Sequence, residues 1–126
     1  MKIKIKVIIS IVLFVMMNAL NLSQQDQSNS ITMQQFREKL ENDKEIIVLD
    51  VRTEEELAGP LGKIEKAINI PIQVLEQRIN ELELYKDKEI IIICRTQNRS
   101  AVAVNILLQN GYKAKNVLGG MAEFIK

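Results

Sequence analysis

Two uninterrupted apolar runs limit the folds that this chain can adopt. Ile90–Ile93 consists of four consecutive isoleucines, and a second run of four apolar residues, Ile46–Leu49, ends at Asp50. Because successive side chains of a strand point to opposite faces of a sheet, a strand without polar positions must be covered on both faces. Such strands are typical of parallel sheets enclosed by helices. The sequence therefore predicts an α/β fold.

Weaker patterns complete the alternation of strands and helices. Capping boxes at Thr32 and Thr53 each predict the start of a helix. Apolar residues spaced three and four apart predict a helix over residues 72–82. A second helix is predicted over residues 101–108, and Gly111 is expected to terminate it. Three short strands are predicted at residues 31–32, 67–70 and 115–118, with a last helical turn at residues 119–124. Alternating strands and helices indicate a parallel sheet, whose ligand crevice lies beyond the carboxyl ends of its strands.

The first 23 residues differ from the rest. Three lysines, at positions 2, 4 and 6, precede Val7–Met17, a run of eleven residues that is apolar apart from Ser10. Eleven residues fall short of the about 20 that a membrane span needs, and they fit the apolar region of a secretory signal peptide. We therefore expect residues 1–23 to be a signal peptide or an uncleaved signal anchor. A buried N-terminal helix or strand is the alternative.

This leader predicts both location and domain organisation. Residues 24–30 are polar and are expected to form a linker, which leaves residues 31–126 as one domain. The protein is expected to be exported to the periplasm or another extracytoplasmic site. It would contact a membrane only through an uncleaved leader.

Two counts exclude whole classes of mechanism. The chain has no histidine and one cysteine, Cys94. Without histidine there is no Ser-His-Asp or Cys-His catalysis and none of the commonest zinc sites, and a single cysteine forms neither an internal disulfide nor a CxxC pair. We expect no metal and no cofactor. A net charge of +1 does not indicate a nucleic-acid partner.

The surroundings of Cys94 indicate chemistry. Cys94 lies between a predicted buried strand and a helix, where a tight turn can point backbone N–H groups into an anion-binding nest. Arg95 and Arg99 add positive charge, which favours the thiolate form of a cysteine. A part-exposed thiolate would act as a nucleophile without a histidine. The alternatives are a buried structural cysteine and, for the arginines, solvated surface charge.

Four segments, in this order and spacing, resemble the rhodanese family of single-domain sulfurtransferases. They are Val48–Arg52 (VLDVR), Ala67–Pro71 (AINIP), Cys94–Ser100 (CRTQNRS) and Leu118–Gly120 (LGG). The resemblance covers residues 31–126. It implies a rhodanese-like fold, a five-stranded parallel sheet with helices on both faces.

The resemblance also implies a reaction, and we expect the protein to be a monomer. Cys94 would attack the outer sulfur of a donor such as thiosulfate, release sulfite and carry the sulfur as a persulfide to cyanide or a cellular thiol. Asp50 and Arg52 would support the active-site loop. The substrate cradle would be formed by the six residues that follow the cysteine: Arg95, Thr96, Gln97, Asn98, Arg99 and Ser100.

Two other functions compete with this interpretation. In related phosphatases five residues separate the cysteine of this loop from the arginine, as in Cys-x5-Arg, whereas sulfurtransferases resemble Cys-x4-Arg. Four residues separate Cys94 from Arg99, which favours sulfur transfer. A sulfur-carrier, stress-associated or partner-binding module without turnover is the second alternative.

The segment Gly62–Ala67 departs from the family pattern Gly-His-Ile-x-Gly-Ala. Lys63 and Lys66 stand where that pattern has the histidine and the second glycine. We expect these lysines to lie at the surface.

Overall fold

The computed structural model describes residues 2–126, without the side chains of residue 3 and residues 19–28. A five-stranded parallel sheet has the order β1-β5-β4-β2-β3. Its strands are β1 (Ser30–Ile31), β2 (Ile47–Asp50), β3 (Ile68–Asn69), β4 (Glu89–Ile93) and β5 (Lys113–Val117). The predicted fold class and all five predicted strands are thereby confirmed.

The central strand β4 positions the candidate site. Asp50 at the end of β2 is paired with Ile93, and Asn116 of β5 is paired with Ile92. Since all strands run in the same direction, Cys94, the residue after β4, lies at the carboxyl edge of the sheet between the ends of β2 and β5. This edge is where a ligand crevice is expected.

The helices are α1 (Lys2–Ser28), α2 (Met33–Asn42), α3 (Glu54–Leu57), α4 (Leu75–Arg78), α5 (Asn98–Gln109) and α6 (Gly120–Phe124). Residues of α4 and α5 pack on one face of the sheet, and residues of α2 and α6 pack on the other. Both predicted capping boxes are present, at Thr32 and at Thr53. Gly111, the predicted end of the helix over residues 101–108, has a φ of 82°, the left-handed conformation that is common just after a helix C-terminus.

The single helix predicted over residues 72–82 is wrong in its geometry. Only the one turn of α4 is α-helical, and 3-10 helices flank it at Ile72–Val74 and Ile79–Tyr85. Residues three apart lie on one face of a 3-10 helix as well as of an α-helix, so apolar spacing does not separate the two. Leu75 and Leu82 are both fully buried, as the apolar face requires.

The four isoleucines of β4 divide between two cores. Ile90 and Ile92 belong to the cluster that packs against α4 and α5, whereas Ile91 and Ile93 belong to the cluster that contains residues of α2 and α6. Each is at most 1% exposed. Burying one such side chain contributes about 1.5–3 kcal/mol, so this strand holds the two layers together.

The N-terminal helix α1 carries exposed apolar side chains. Every large hydrophobic residue of Val7–Met17 is more than half exposed, and Phe14 is 68% exposed. The alternative of a buried N-terminal helix is therefore wrong for these side chains. The backbone is helical through Ser28, which includes most of the predicted linker. Within the described residues, no helix combines the length and apolar character needed to cross a membrane.

Candidate active site

The loop after β4 is anchored to the first turn of α6. The carbonyl oxygens of Cys94 and Arg95 accept hydrogen bonds from the N–H groups of Met121 and Ala122, each at 2.9 Å. In a trans peptide the C=O and N–H groups point in opposite directions. The N–H groups of Arg95 and Thr96 therefore point away from α6, as an anion-binding nest requires.

Gly120 makes this close approach possible. Its φ is +56°, a conformation that L side chains rarely adopt, and a Cβ built there would lie 2.6 Å from the Arg95 carbonyl oxygen and would also collide with the Thr96 carbonyl oxygen. Gly119 contributes a second left-handed residue, and its N–H donates to Gln97 Oε1 at 3.2 Å. The double glycine thus fixes the position of the loop backbone.

The sulfur of Cys94 is buried. The residue is 1% exposed, and its Sγ lies 3.2 Å from Ser100 Oγ. The expectation of a part-exposed sulfur is wrong, because Cys94 belongs to the core cluster that packs against α4 and α5, and its carbonyl group is bonded to the backbone of α6. Ser100 is fully buried and donates a hydrogen bond of 2.6 Å to Asn116 Oδ1.

Arg99 is held by a carboxylate. Its Nη1 and Nη2 each lie 2.7 Å from an oxygen of Glu56, in a bidentate ion pair. Hydrogen bonding to Glu56 is the main cause that raises the pKa of Arg99, and the charges of Cys94 and Asp50 add to it. Arg99 therefore lies within electrostatic reach of Cys94, although its guanidinium is bound to Glu56.

Glu56 is a site residue that sequence reasoning missed. The sequence assigns it only to the capping box of α3, and it does fill that role by accepting from the Thr53 N–H at 2.9 Å. The hydrogen bond from Arg99 is the main cause that lowers the pKa of Glu56 from 4.5 to about 2, and the bonds from Thr53 act in the same direction. The capping box distinguishes Glu56 from its acidic neighbours, but no local pattern predicts that Glu56 also binds Arg99.

This ion pair predicts an acid dependence of stability. The pKa of Glu56 is depressed in the folded state. The stabilisation of the fold by its ionised carboxylate is therefore fully present above about pH 4.5 and is lost as the pH falls towards 2. The difference in unfolding free energy between wild type and Glu56→Gln should be largest near neutral pH and shrink over this window. Urea denaturation at several pH values measures it. Glu65→Gln, at an exposed position, is the control; a Glu56→Gln difference that is independent of pH would contradict the prediction.

Asp50 and Arg52 form a buried ion pair at the end of β2. Arg52 Nη2 lies 2.8 Å from Asp50 Oδ2 and 2.8 Å from the Gly62 carbonyl oxygen. In the part of the chain that the structure describes, Arg52 Nη1 is buried without a hydrogen-bond partner. Through its Nη2 bonds, Arg52 links the end of β2 to the backbone at Gly62. The link to the loop runs through the backbone, where the Val51 N–H donates to the Ile93 carbonyl at 3.1 Å.

A cavity of about 500 Å³ adjoins the loop. The loop contributes Arg95, which is exposed, and the side of β2 contributes Arg52. Its other lining residues are Thr53, Glu55, Glu56, Gly59, Pro60 and Leu61.

Three residues of the predicted cradle are exposed around the start of α5: Thr96, Gln97 and Asn98. The two lysines expected at the surface, Lys63 and Lys66, are also exposed. Among the described residues, no cluster of three or more potential ligands could hold a metal ion.

Comparison with known proteins agrees with this geometry. Residues 32–126 match the family model of the Rhodanese-like domain. The chain is 38% identical over 86 residues to "Putative sulfurtransferase YtwF" of Bacillus subtilis, which covers 68% of this chain and 80% of that protein. It is 31% identical over 94 residues to a sulfurtransferase of Allochromatium vinosum, with 74% and 84% covered. The crystal structure of a rhodanese-like domain protein from Staphylococcus aureus superimposes with a TM-score of 0.69 at 36% identity, covering 76% of this chain and 90% of that one.

These comparisons confirm the resemblance seen in the sequence, and the names of the relatives support sulfurtransferase function at the level of the family. The matched region begins at the capping box of α2 and includes the buried strands, the cysteine loop and the double glycine that positions it. With the sheet order and the loop geometry established above, the match shows that this chain belongs to the family of rhodanese-like domains.

Proposed function

We propose that the chain transfers sulfane sulfur from an anionic donor such as thiosulfate, through a persulfide on Cys94, to cyanide or a cellular thiol. The observation that carries this proposal is the position of its only thiol, at the carboxyl end of β4 and in front of the loop whose N–H groups point away from α6. That arrangement suits an anion next to a nucleophile.

The reaction needs no group outside the chain and its substrates. The Cys94 thiolate attacks the outer sulfur of thiosulfate, the S–S bond of the donor breaks, and sulfite leaves with that bonding pair. A Cys94 persulfide anion remains. Cyanide then attacks the outer sulfur, so that thiocyanate forms and the thiolate is regenerated. The total negative charge is the same before and after each step.

Arg95 is the residue best placed to attract the donor. Its side chain is exposed, it lines the cavity, and it follows Cys94 directly. By contrast, Arg99 and Arg52 are bound to carboxylates. We therefore assign Arg95 to donor binding and Arg99 to the electrostatic surroundings of the sulfur.

Replacing Arg95 by alanine tests this assignment. A hydrogen bond to a charged group contributes about 1.5 kcal/mol, so the KM for thiosulfate should rise by about tenfold while kcat changes less. Steady-state formation of thiocyanate measures both constants. Arg78→Ala, which removes an exposed arginine bound to Glu81, should leave both unchanged. A loss in kcat with unchanged KM would contradict donor binding by Arg95.

We further propose that residues 1–23 direct the chain out of the cytoplasm, either as a cleaved leader or as an anchor. The basic positions before the apolar run and the exposed apolar side chains of α1 support this proposal. Intact-mass measurement of protein isolated from the membrane and extracytoplasmic fractions tests it. Recovery only from the cytoplasm at full length would overturn it.

A further inference from the structure

The cavity beside the cysteine loop is larger than thiosulfate or cyanide requires. Its volume is about 500 Å³, within the range of about 300–1,000 Å³ that is typical of sites for small organic ligands. Thiosulfate is a compact anion and cyanide is diatomic, so neither fills this space. Gly59, Pro60 and Leu61 form an uncharged wall that offers contact to the carbon atoms of an organic molecule.

Among the described residues that line this cavity, the charged ones fall into two kinds. Arg52 and Glu56 are each neutralised by an ion pair with another residue, at 2.8 Å and 2.7 Å. Arg95 and Glu55 are exposed, and within the part of the chain that the structure describes neither is in an ion pair. The cavity thus offers a cation and a carboxylate to a ligand.

The two available charges come from different elements. Arg95 directly follows Cys94 on the active-site loop, whereas Glu55 belongs to α3, which follows β2. A ligand carboxylate bound to Arg95 would be held beside the cysteine, and a ligand ammonium bound to Glu55 would lie towards α3. Opposite charges at these two positions favour a zwitterion over an ion of a single sign.

We propose that this cavity binds the sulfur acceptor, and that the acceptor is a short thiol peptide with a free ammonium and a free carboxylate. A cysteine at its C-terminus would place its carboxylate at Arg95 and its thiol beside Cys94, while the N-terminal ammonium binds Glu55. Pro60 and Leu61 contact the atoms between the two charges. The acceptor class rests on the proposed function, because it specifies which thiols receive the sulfur.

The transfer step balances without a further reactant. The acceptor thiolate, whose proton has gone to water, attacks the outer sulfur of the Cys94 persulfide. The S–S bond of the persulfide breaks, and its bonding pair returns to Cys94 Sγ. A new S–S bond forms on the peptide, which leaves as a peptide persulfide. Because sulfite has already left, Arg95 is free to bind the acceptor carboxylate in this half of the reaction.

Discharge of the loaded full-length chain tests the acceptor class. After loading with thiosulfate, the loss of the transferred sulfur is followed by intact mass at increasing peptide concentrations. The peptides share one thiol and differ in charge: glycylcysteine, its N-acetylated form and its C-terminal amide. Glycylcysteine should reach half-maximal discharge at a concentration about three- to tenfold lower than either blocked peptide, the effect of one exposed charged contact.

Variants assign each charge to its residue. Glu55→Gln should raise the half-maximal concentration of glycylcysteine by about three- to tenfold and leave that of the N-acetylated peptide unchanged. Arg95→Ala should abolish the preference for glycylcysteine over its amide. Glu54→Gln is the matched control and should behave as the wild type, because Glu54 is an exposed carboxylate of α3 that is not among the described residues lining the cavity.

Equal discharge by the three peptides would overturn the proposal, as would a Glu55→Gln variant that matches Glu54→Gln. A binding measurement separates these outcomes from a failure of the proposed function. Calorimetry with S-methylated glycylcysteine and the unloaded chain needs no sulfur transfer. Weaker binding by Glu55→Gln than by the wild type would support the peptide site by itself, and equal or absent binding would overturn it.

Discussion

Replacement of Cys94 by serine is expected to abolish sulfur transfer. The chain contains no other cysteine, so no second thiol can accept sulfur from the donor. Removal of a catalytic nucleophile lowers rates by at least about 1,000-fold, and thiocyanate formation should fall to the rate without protein. The assay follows thiocyanate production from thiosulfate and cyanide at neutral pH.

Serine is the informative replacement because Cys94 is buried. It preserves the approximate shape of the side chain and can still bond to Ser100, so the variant should unfold at a similar urea concentration. Activity that survives in a folded Cys94→Ser variant would show that another group carries the sulfur. A biological role that survives the substitution would favour a binding module without turnover.

The second large effect is expected at Gly120. An alanine there meets both a left-handed backbone and the carbonyl groups of Arg95 and Thr96. A left-handed L residue costs about 1–2 kcal/mol and overpacking about 1–3 kcal/mol, so Gly120→Ala should lower the unfolding free energy by about 2–5 kcal/mol. The displaced loop should also lower kcat/KM by about 100-fold, the effect of a misplacement of about 1 Å.

Gly62 provides a matched control for this experiment. Its φ is +62°, but a Cβ there would meet nothing within 4 Å. Gly62→Ala should therefore show only the backbone cost of about 1–2 kcal/mol and retain most of the activity. Urea denaturation and the thiocyanate assay measure both variants. Equal losses at the two glycines would contradict the claim that the contact between Gly120 and the loop positions the cysteine.

Much of the fold was predictable because its determinants are local. Isoleucines at four consecutive positions require cover on both faces, and the capping boxes at Thr32 and Thr53 mark helix starts within a few residues of chain. The segment after Pro71 was predicted less well. Its apolar spacing is compatible with both helix types, so the sequence pattern did not predict the 3-10 geometry on either side of α4.

The candidate site was predictable only in part, since several of its contacts join distant positions. The cysteine and its loop are contiguous and were found from the sequence. The carboxylate that holds Arg99 comes from Glu56, 43 residues away, and the partner of Ser100 is Asn116, 16 residues away. The burial of Cys94 depends in the same way on residues of β2, α4 and α5. Contacts of this kind leave no periodic or local pattern in one sequence.

Intact-mass spectrometry of the chain after incubation with thiosulfate tests the central claim most directly. We expect a mass gain of one sulfur atom located at Cys94, its removal by cyanide, and no gain in the Cys94→Ser variant. If the folded wild-type protein gains no sulfur from thiosulfate or from any other sulfane donor, the claim that Cys94 carries sulfur is wrong.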